Sequence, residues 1–502
     1  MRTLGNSYAR FRRYPLLGSN KTVAIVGAGM AGLAAAKLLC ATGVAVRLFE
    51  ANAKVGGCCA TTRLGGCSFN DGAVHLAMPG MLDHLFETLG LDRDHLLPLR
   101  RISAIQATTL PDGTIVTIGD GPEVAIESAR GAAATARLQA ELEGFLRKWE
   151  PVLRFFADDI MVHPLSLPHL LAKGWRHLAK LRGTAASHLN NSFSSEAARA
   201  AFAGALLYTG APPDRTPAAL LLGLVAMLRD GYFLPEGGMG RISEVLSDAV
   251  RKQGGDIHLN SSVRRILVRN GRAYAIEVEN EGVVEVDAVV SSVSAMHTYG
   301  SLLSGCAVPA RMTRKVRRAV LSHKGFVLQL GLSNKIEARS HSNCVIPWLG
   351  EQSQVFQPNK GDLRWPIYTV PTVTLPELAP PGCSIIEMFP SISQDIAPDD
   401  WSEARKDEVV ARAVERLRRD HEIDIAVCRV LSPKEFQDGA HLYAGALYGL
   451  SPVASPTALF KHRSPIRGLY QAGQTTWPGF GVVGAGISGV LAAEALIRNE
   501  SL

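Results

Sequence analysis

Gly27-Ala28-Gly29-Met30-Ala31-Gly32 and, 23 residues after Gly27, Glu50 have the types and spacing to hold a phosphorylated nucleotide. In a G-x-G-x-x-G turn the first glycine permits a tight bend, the second lets the backbone approach a pyrophosphate, and the third lets helix and strand pack closely. N–H groups at the start of the following helix then face the phosphates, and an acid about 20 residues on takes a ribose hydroxyl. A second match, Gly484-Ala485-Gly486-Ile487-Ser488-Gly489, is followed by only 13 residues. That is too few for a second strand and its acid, so it is not a complete nucleotide unit. It reads as a packing-driven glycine turn, or as a backbone loop against a flat ligand with the final helix N-terminus aimed at an electron-rich atom.

The elements that must position these residues follow from the apolar pattern. "KTVAIV" from Lys21, the glycine turn, an alanine-rich stretch to about Thr42 and "VAVRLFE" ending at Glu50 read as strand, turn, helix and strand, a βαβ unit with a buried parallel sheet. Between about 121 and 229 the pattern becomes helical, with apolar residues three and four apart in "ARLQAELEGFLRKWEPVLRFF" and a helix start at Ser194-Ser195-Glu196. After "DGYFLPEGGMG" come a helix, a strand and a β-meander with turns at Asn270-Gly271 and Glu281-Gly282. "GFVLQLGLS" and "CSIIEMFPS" read as strands and Ser402 to Asp420 as a helix. The fold class is α/β: a Rossmann-like dinucleotide domain with a discontinuous α+β second domain and a helical lid insert.

Composition limits the function. The chain has 502 residues, is 47% hydrophobic and 20% charged, and carries a net charge of +7 spread among 46 acids with 6% aromatics, which disfavours disorder and nucleic-acid binding. Its eight cysteines lack zinc-ligand spacing and read as reduced and buried, so no metal is expected. Residues 1–21 form a basic arm with no apolar run behind it. The longest apolar stretch, Pro217 to Leu228, is too short to span a bilayer, for which roughly 20 residues are needed. A cytoplasmic protein is expected. "LPHLLAKGWRHLAKLRG", 167–183, is a basic amphipathic segment that either lies in a membrane interface or presents a solvated face.

Further signals now join: Gly56-Gly57 shortly after Glu50, "FNDGAVH" at Phe69 to His75, "LPEGGM", and "GLYQAGQTTWPGFGVVGAGISGV" near the end. Together with the first fingerprint they resemble the FAD-dependent phytoene desaturase, carotenoid isomerase and retinol saturase group, akin to amine oxidases. The resemblance implies an FAD domain from 1–95, 230–300 and 440–502, and a substrate domain from 96–229 and 301–439. It implies that Gly27, Ala28, Gly29, Met30, Ala31 and Gly32 cradle the pyrophosphate, that Glu50 and Ala51 reach the adenosine ribose, and that Gly56 and Gly57 approach the pyrophosphate. Val263 would contact the adenine end. Gly72, Ala73 and Val74 would run beside the flavin with His75 at the cavity edge, a candidate acid or base or else a structural histidine. Gly473 and Gln474 would hold the ribityl chain, and Gly486, Ile487 and Ser488 would aim N–H groups at the pyrimidine carbonyl. Relatives commonly carry an arginine where this chain has Cys58, and often an aspartate where it has Gln474. Trp477, Tyr448 and His441 are candidate cavity residues.

The group's chemistry implies hydride transfer between flavin and a long apolar polyene or isoprenoid: desaturation, isomerisation, saturation or reductive cyclisation. Oxygen, a quinone or transient NAD(P)H would complete the redox cycle. Two rivals stand beside it, an FAD-dependent amine oxidase and a non-catalytic prenyl or lipid carrier on the same fold.

Overall fold

The computed structural model describes residues 21–127, 135–357 and 363–500; nearly all of the basic arm expected at 1–21 lies outside them. β1 (Thr22–Val26), α1 (Met30–Cys40) and β2 (Ala45–Phe49) form the expected unit, with the strands parallel from Thr22 opposite Ala45 to Val26 opposite Phe49. Every residue of α1 is buried, as an alanine-rich helix without a polar face requires.

The parallel sheet runs in the order Asp256–His258, β2, β1, Ala288–Ser291, Leu469–Gln471, so that widely separated stretches build one layer. The chain leaves β1 toward one edge and later fills the other, which makes the C-terminal end of β1 the point where ligands bind in such sheets. α1 packs against the helices Gly240–Lys252 and Val482–Glu500.

The meander is Val263–Arg269, Arg272–Val278 and Gly282–Glu285. Asn270 and Gly271 have φ of 53° and 71°, the pair of positive values that a two-residue hairpin turn demands. A second, eight-stranded mixed sheet holds Val327–Leu332 and Ser384–Met388, the expected strands, as inner members buried at every residue. Ser195 and Ser402 cap Glu196–Gly204 and Glu403–Arg418, accepting from Ala198 N and Arg405 N.

Two readings are corrected. The helical insert begins later than about 121, because Val124–Glu127 is an edge strand paired with Ile115–Gly119; four residues are too few to show alternation. The longest apolar helix is not near 217–228: among the described residues Val482–Glu500 alone has the length and hydropathy of a bilayer span, and it is packed largely inside the fold. All eight cysteines are free thiols, four of them buried.

Candidate functional site

A cavity of about 490 Å³ joins the C-terminal ends of the parallel strands to the eight-stranded sheet. At one end Val26, Gly27, Gly29, Met30, Ala31, Glu50, Ala51, Gly56, Gly57 and Val263 line it. Gly27 has φ of 93°, a value that only glycine adopts freely. Gly29 is the residue just before α1, and a side chain there would meet nothing within 4 Å, so its backbone lies open to the cavity. The first intrahelical bond, Leu33 N to Gly29 O, leaves the N–H groups of Met30 and Ala31 without helical partners and facing the same space. Gly57 closes the loop, its Cβ position 3.7 Å from the Gly29 Cα.

Gly32 does not touch the cavity: a Cβ there would sit 1.9 Å from the Gly27 carbonyl, so it serves close packing of helix on strand. Ala28 is wholly buried and donates its N–H to Glu50 Oε2 at 2.7 Å. Glu50 Oε1 accepts from Asn52 N at 2.9 Å, and with only 6% of its surface exposed the carboxylate is held rigid beside the cavity. A carboxylate offers about four acceptor sites, so capacity remains for a diol.

The expected flavin-flanking residues Gly72, Ala73, Val74, Gly473 and Gln474 line the same cavity. Cys58 also lines it, accepts from Ala73 N through its carbonyl, and has its thiol pushed up to about 11 by burial; it is a neutral thiol. Gly473 has φ of 95° and a Cβ there would lie 2.8 Å from the Ser292 carbonyl. The Gln474 amide, oriented to satisfy both its ends, donates to Leu447 O and accepts from Gly449 N, each at 3.2 Å.

The second glycine motif is relocated. Val482–Glu500 is one helix, and Ala485 N donates to Gly481 O, so its unpaired N–H groups are those of Gly481 to Gly484. Gly486, Ile487 and Ser488 lie one turn further in, where N–H groups are spent on the helix ladder, and none of the three lines the cavity. Gly481, Val482 and Ala485 line it instead. Gly486 and Gly489 serve packing: added Cβ atoms would come 2.5 Å from Leu85 Cδ2 and 2.1 Å from Ala31 O. Ile487 belongs to the core. The Ser488 hydroxyl accepts from Gly473 N at 3.0 Å and meets Thr476 Oγ1 at 2.5 Å, tying the Gly473 loop to the helix. The signal for the true helix start was Pro478-Gly479-Phe480-Gly481 before an unbroken apolar run, with Gly479 and Gly481 at φ of 114° and 89°.

His75 stacks on Tyr232 at 4.0 Å and does not line the cavity. Burial, with a smaller contribution from His341, pulls it down to about 3, so its ring is neutral at physiological pH. Tyr448 and His441 line the cavity; Trp477 does not, its Nε1 donating to Ile160 O and His163 O. Sequence reasoning passed over Leu207, Tyr208, Phe356 and Phe389, which form the apolar wall and stand on elements with no motif. Among the described residues Glu50 is the only carboxylate in the lining and Lys324 the only lysine or arginine.

Two helix N-termini thus face one cavity, with a buried acceptor at one end and an aromatic wall at the other. That donor set fits an anionic, flat dinucleotide: N–H groups of Gly29 to Ala31 for a pyrophosphate, Glu50 for a ribose, and the Gly481–Gly484 terminus for a ring that becomes electron-rich.

The family model described as flavin containing amine oxidoreductase matches residues 30–497. Among curated relatives, the phytoene desaturase (lycopene-forming) of Pseudescherichia vulneris is 26% identical, covering 95% of this chain and 99% of that one. The phytoene dehydrogenase of Streptomyces griseus is 27% identical over 94% of each. Among solved structures, an oxidoreductase from Methanosarcina mazei matches with a TM-score of 0.61 at 17% identity, covering 94% of this chain and 100% of that one. Putrescine oxidase bound to putrescine matches at 0.59 and 18%, over 95% and 99%, a likeness of fold alone.

Proposed function

The chain belongs to the flavin containing amine oxidoreductase family, with FAD as its cofactor, and on that footing we propose that it desaturates a long apolar polyene. The observation that carries the substrate class is the apolar part of the lining, Leu207, Tyr208, Phe356, Ile367 and Phe389, with no carboxylate among the described lining residues except Glu50. A cationic amine would find no counter-charge there, whereas a hydrocarbon chain is favoured by roughly 25 cal/mol for each Å² it removes from water. The direction, removal of hydrogen, rests on the relatives named as desaturases.

When bound, FAD supplies a two-electron acceptor for hydride. This chain's residues would hold and orient it: Gly29, Met30 and Ala31 by backbone N–H groups, Glu50 by its carboxylate, and Gly57, Gly473 and Gln474 along its length. The helix terminus Gly481–Gly484 would stabilise negative charge at the ring edge. The apolar wall excludes water and holds the polyene against the ring. Loss of hydride from an allylic carbon leaves a cation that conjugation spreads, so the chain needs only a weak acceptor for the following proton. The test is to incubate the yellow holoprotein with polyenes of graded unsaturation and weigh the products. Loss of two hydrogens supports desaturation; gain of two overturns the direction, and turnover of amines alone overturns the class.

Delivery of so apolar a substrate points to the membrane surface. The helix Leu167–Lys180 leaves Leu171 and Trp175 exposed at 53% and 61%, beside exposed Lys173 and Arg176. Gly174 and His177 turn inward onto Phe155. Apolar residues among cations on the free face suit peripheral contact with anionic lipid. Pelleting with anionic vesicles, weakened about tenfold by replacing Trp175, Lys173 and Arg176, is the expected result; unchanged pelleting would remove this part of the proposal.

A further inference from the structure

Behind the cavity wall, four separate elements bring polar side chains together without pairing them. His75 follows the strip Gly72–Val74, Tyr208 stands in the turn Leu207–Thr209, and His341 immediately precedes the strand Ser342–Val345 that Ser342 opens, with Tyr232 stacked on His75. The His75 ring meets Tyr208 edge-on at 5.9 Å and His341 at 6.1 Å. His75 Nδ1, the Tyr208 hydroxyl, both ring nitrogens of His341 and Ser342 Oγ are buried, and none has a hydrogen-bond partner in the protein. His341 is wholly buried and Ser342 is 3% exposed. His341 lies beside the Val74 backbone and Ser342 beside the Tyr208 hydroxyl, without completing a bond. Tyr208 and Val74 are themselves cavity lining, so the cluster abuts the substrate space through them.

Buried polar groups are almost always paired, and a concentration of unpaired ones asks for a ligand. The chemistry is specific. Both imidazoles are held neutral by burial, at about 3 for His75 and about 4 for His341. Neutral imidazole, phenol and hydroxyl each donate and accept, and none carries charge to attract a carboxylate or an ammonium.

Resting on the polyene reading above, we infer that the His75–Tyr208–His341–Ser342 cluster is a subsite for a neutral oxygen function, a ketone or hydroxyl, at one end of the substrate. An oxygen placed there is anchored by the Tyr208 hydroxyl and the His341 ring. It fixes how far the chain slides past the flavin-flanking residues and therefore which bond reacts. Tyr208 is held for this by its neighbours: Tyr448 donates its hydroxyl to the Tyr208 carbonyl at 2.5 Å, and Phe389 packs on its ring at 6.0 Å.

The test uses the holoprotein and two polyenes equal in length and conjugation, one ending in hydrocarbon and one in a ketone. Dissociation constants are read from flavin quenching, so turnover is not needed. The expected result is at least about tenfold tighter binding of the ketone, the discrimination one or two hydrogen bonds supply. In Tyr208→Phe and His341→Phe the ratio of the two constants falls toward one; Tyr208→Phe removes one oxygen atom and preserves the ring if the histidine variant fails to fold. Equal binding of the two polyenes by the wild type overturns the subsite while leaving the polyene reading intact. A ratio unchanged in both variants overturns the assignment to these residues. Binding of neither polyene overturns both readings together.

Discussion

Glu50 carries the most chemistry for a single side chain. Its carboxylate is fixed by N–H groups from Ala28 and Asn52, and among the described residues it is the only acid facing the cavity. Glu50→Ala is expected to raise the FAD dissociation constant about 10–100-fold, the worth of hydrogen bonds to a charged acceptor, by titration of apoprotein with flavin. Glu387 is a second residue with a measurable signature. It accepts from Asn70 N at 2.9 Å, just before the flavin-flanking strip, and burial raises its carboxyl to about 7. A carboxyl whose folded value is raised binds protons in the folded state between the ordinary value near 4.5 and about 7, so stability falls as pH rises through that window. Glu387→Gln should therefore gain on wild type as pH rises, by up to about 3 kcal/mol above pH 7, with the gap closing near pH 4.5; melting temperatures across that range check it. Glu50 was legible because its distance from Gly27 is fixed by one βαβ unit. Glu387 was not, since a lone acid in "CSIIEMFPS" shows nothing of what its strand packs against.

The glycine motifs mark the difference between a pattern and an element. The first was readable because strand, turn and helix all fit within residues 21–50. The second misled because G-x-G-x-x-G also describes small residues spaced for close helix packing, and Gly486 and Gly489 do that work against Leu85 and Ala31. The unpaired N–H groups of that helix lie one turn earlier, where Gly481 and Val482 line the cavity. Val482 is its first helical residue, a position that tolerates proline. Val482→Pro is therefore expected to keep the fold while deleting one N–H aimed at the site. It should lower the flavin potential by about 5–20 mV, from roughly 0.3–1 kcal/mol per terminal interaction. Gly486→Val should instead lower the melting temperature through its clash with Leu85. A larger potential shift in Gly486→Val than in Val482→Pro, both measured by dye equilibration, would return the flavin contact to the second turn.

At the scale of the whole molecule, one cavity depends on pieces far apart in sequence. The parallel sheet takes strands from 22–49, 256–258, 288–291 and 469–471, and the wall above it comes from 207–210, 355–356, 367, 389–392 and 436–448. The glycine turn and Glu50 were legible because their motifs are local. The apolar wall was not, because Tyr208, Phe356 and Phe389 stand far apart in sequence and meet only across the cavity. The same is true of His341, a histidine in a featureless stretch until it meets His75.

On the proposed function, one flavin dinucleotide bridges both helix termini beneath an apolar polyene. Anaerobic mixing of the oxidised holoprotein with polyene, followed in the visible flavin band, tests it most directly. The expected result is one equivalent of FAD per chain, bleached by the polyene as the product loses two hydrogens, and unmoved by a primary amine. A second equivalent of bound dinucleotide, or bleaching by the amine and not by any polyene, would contradict it.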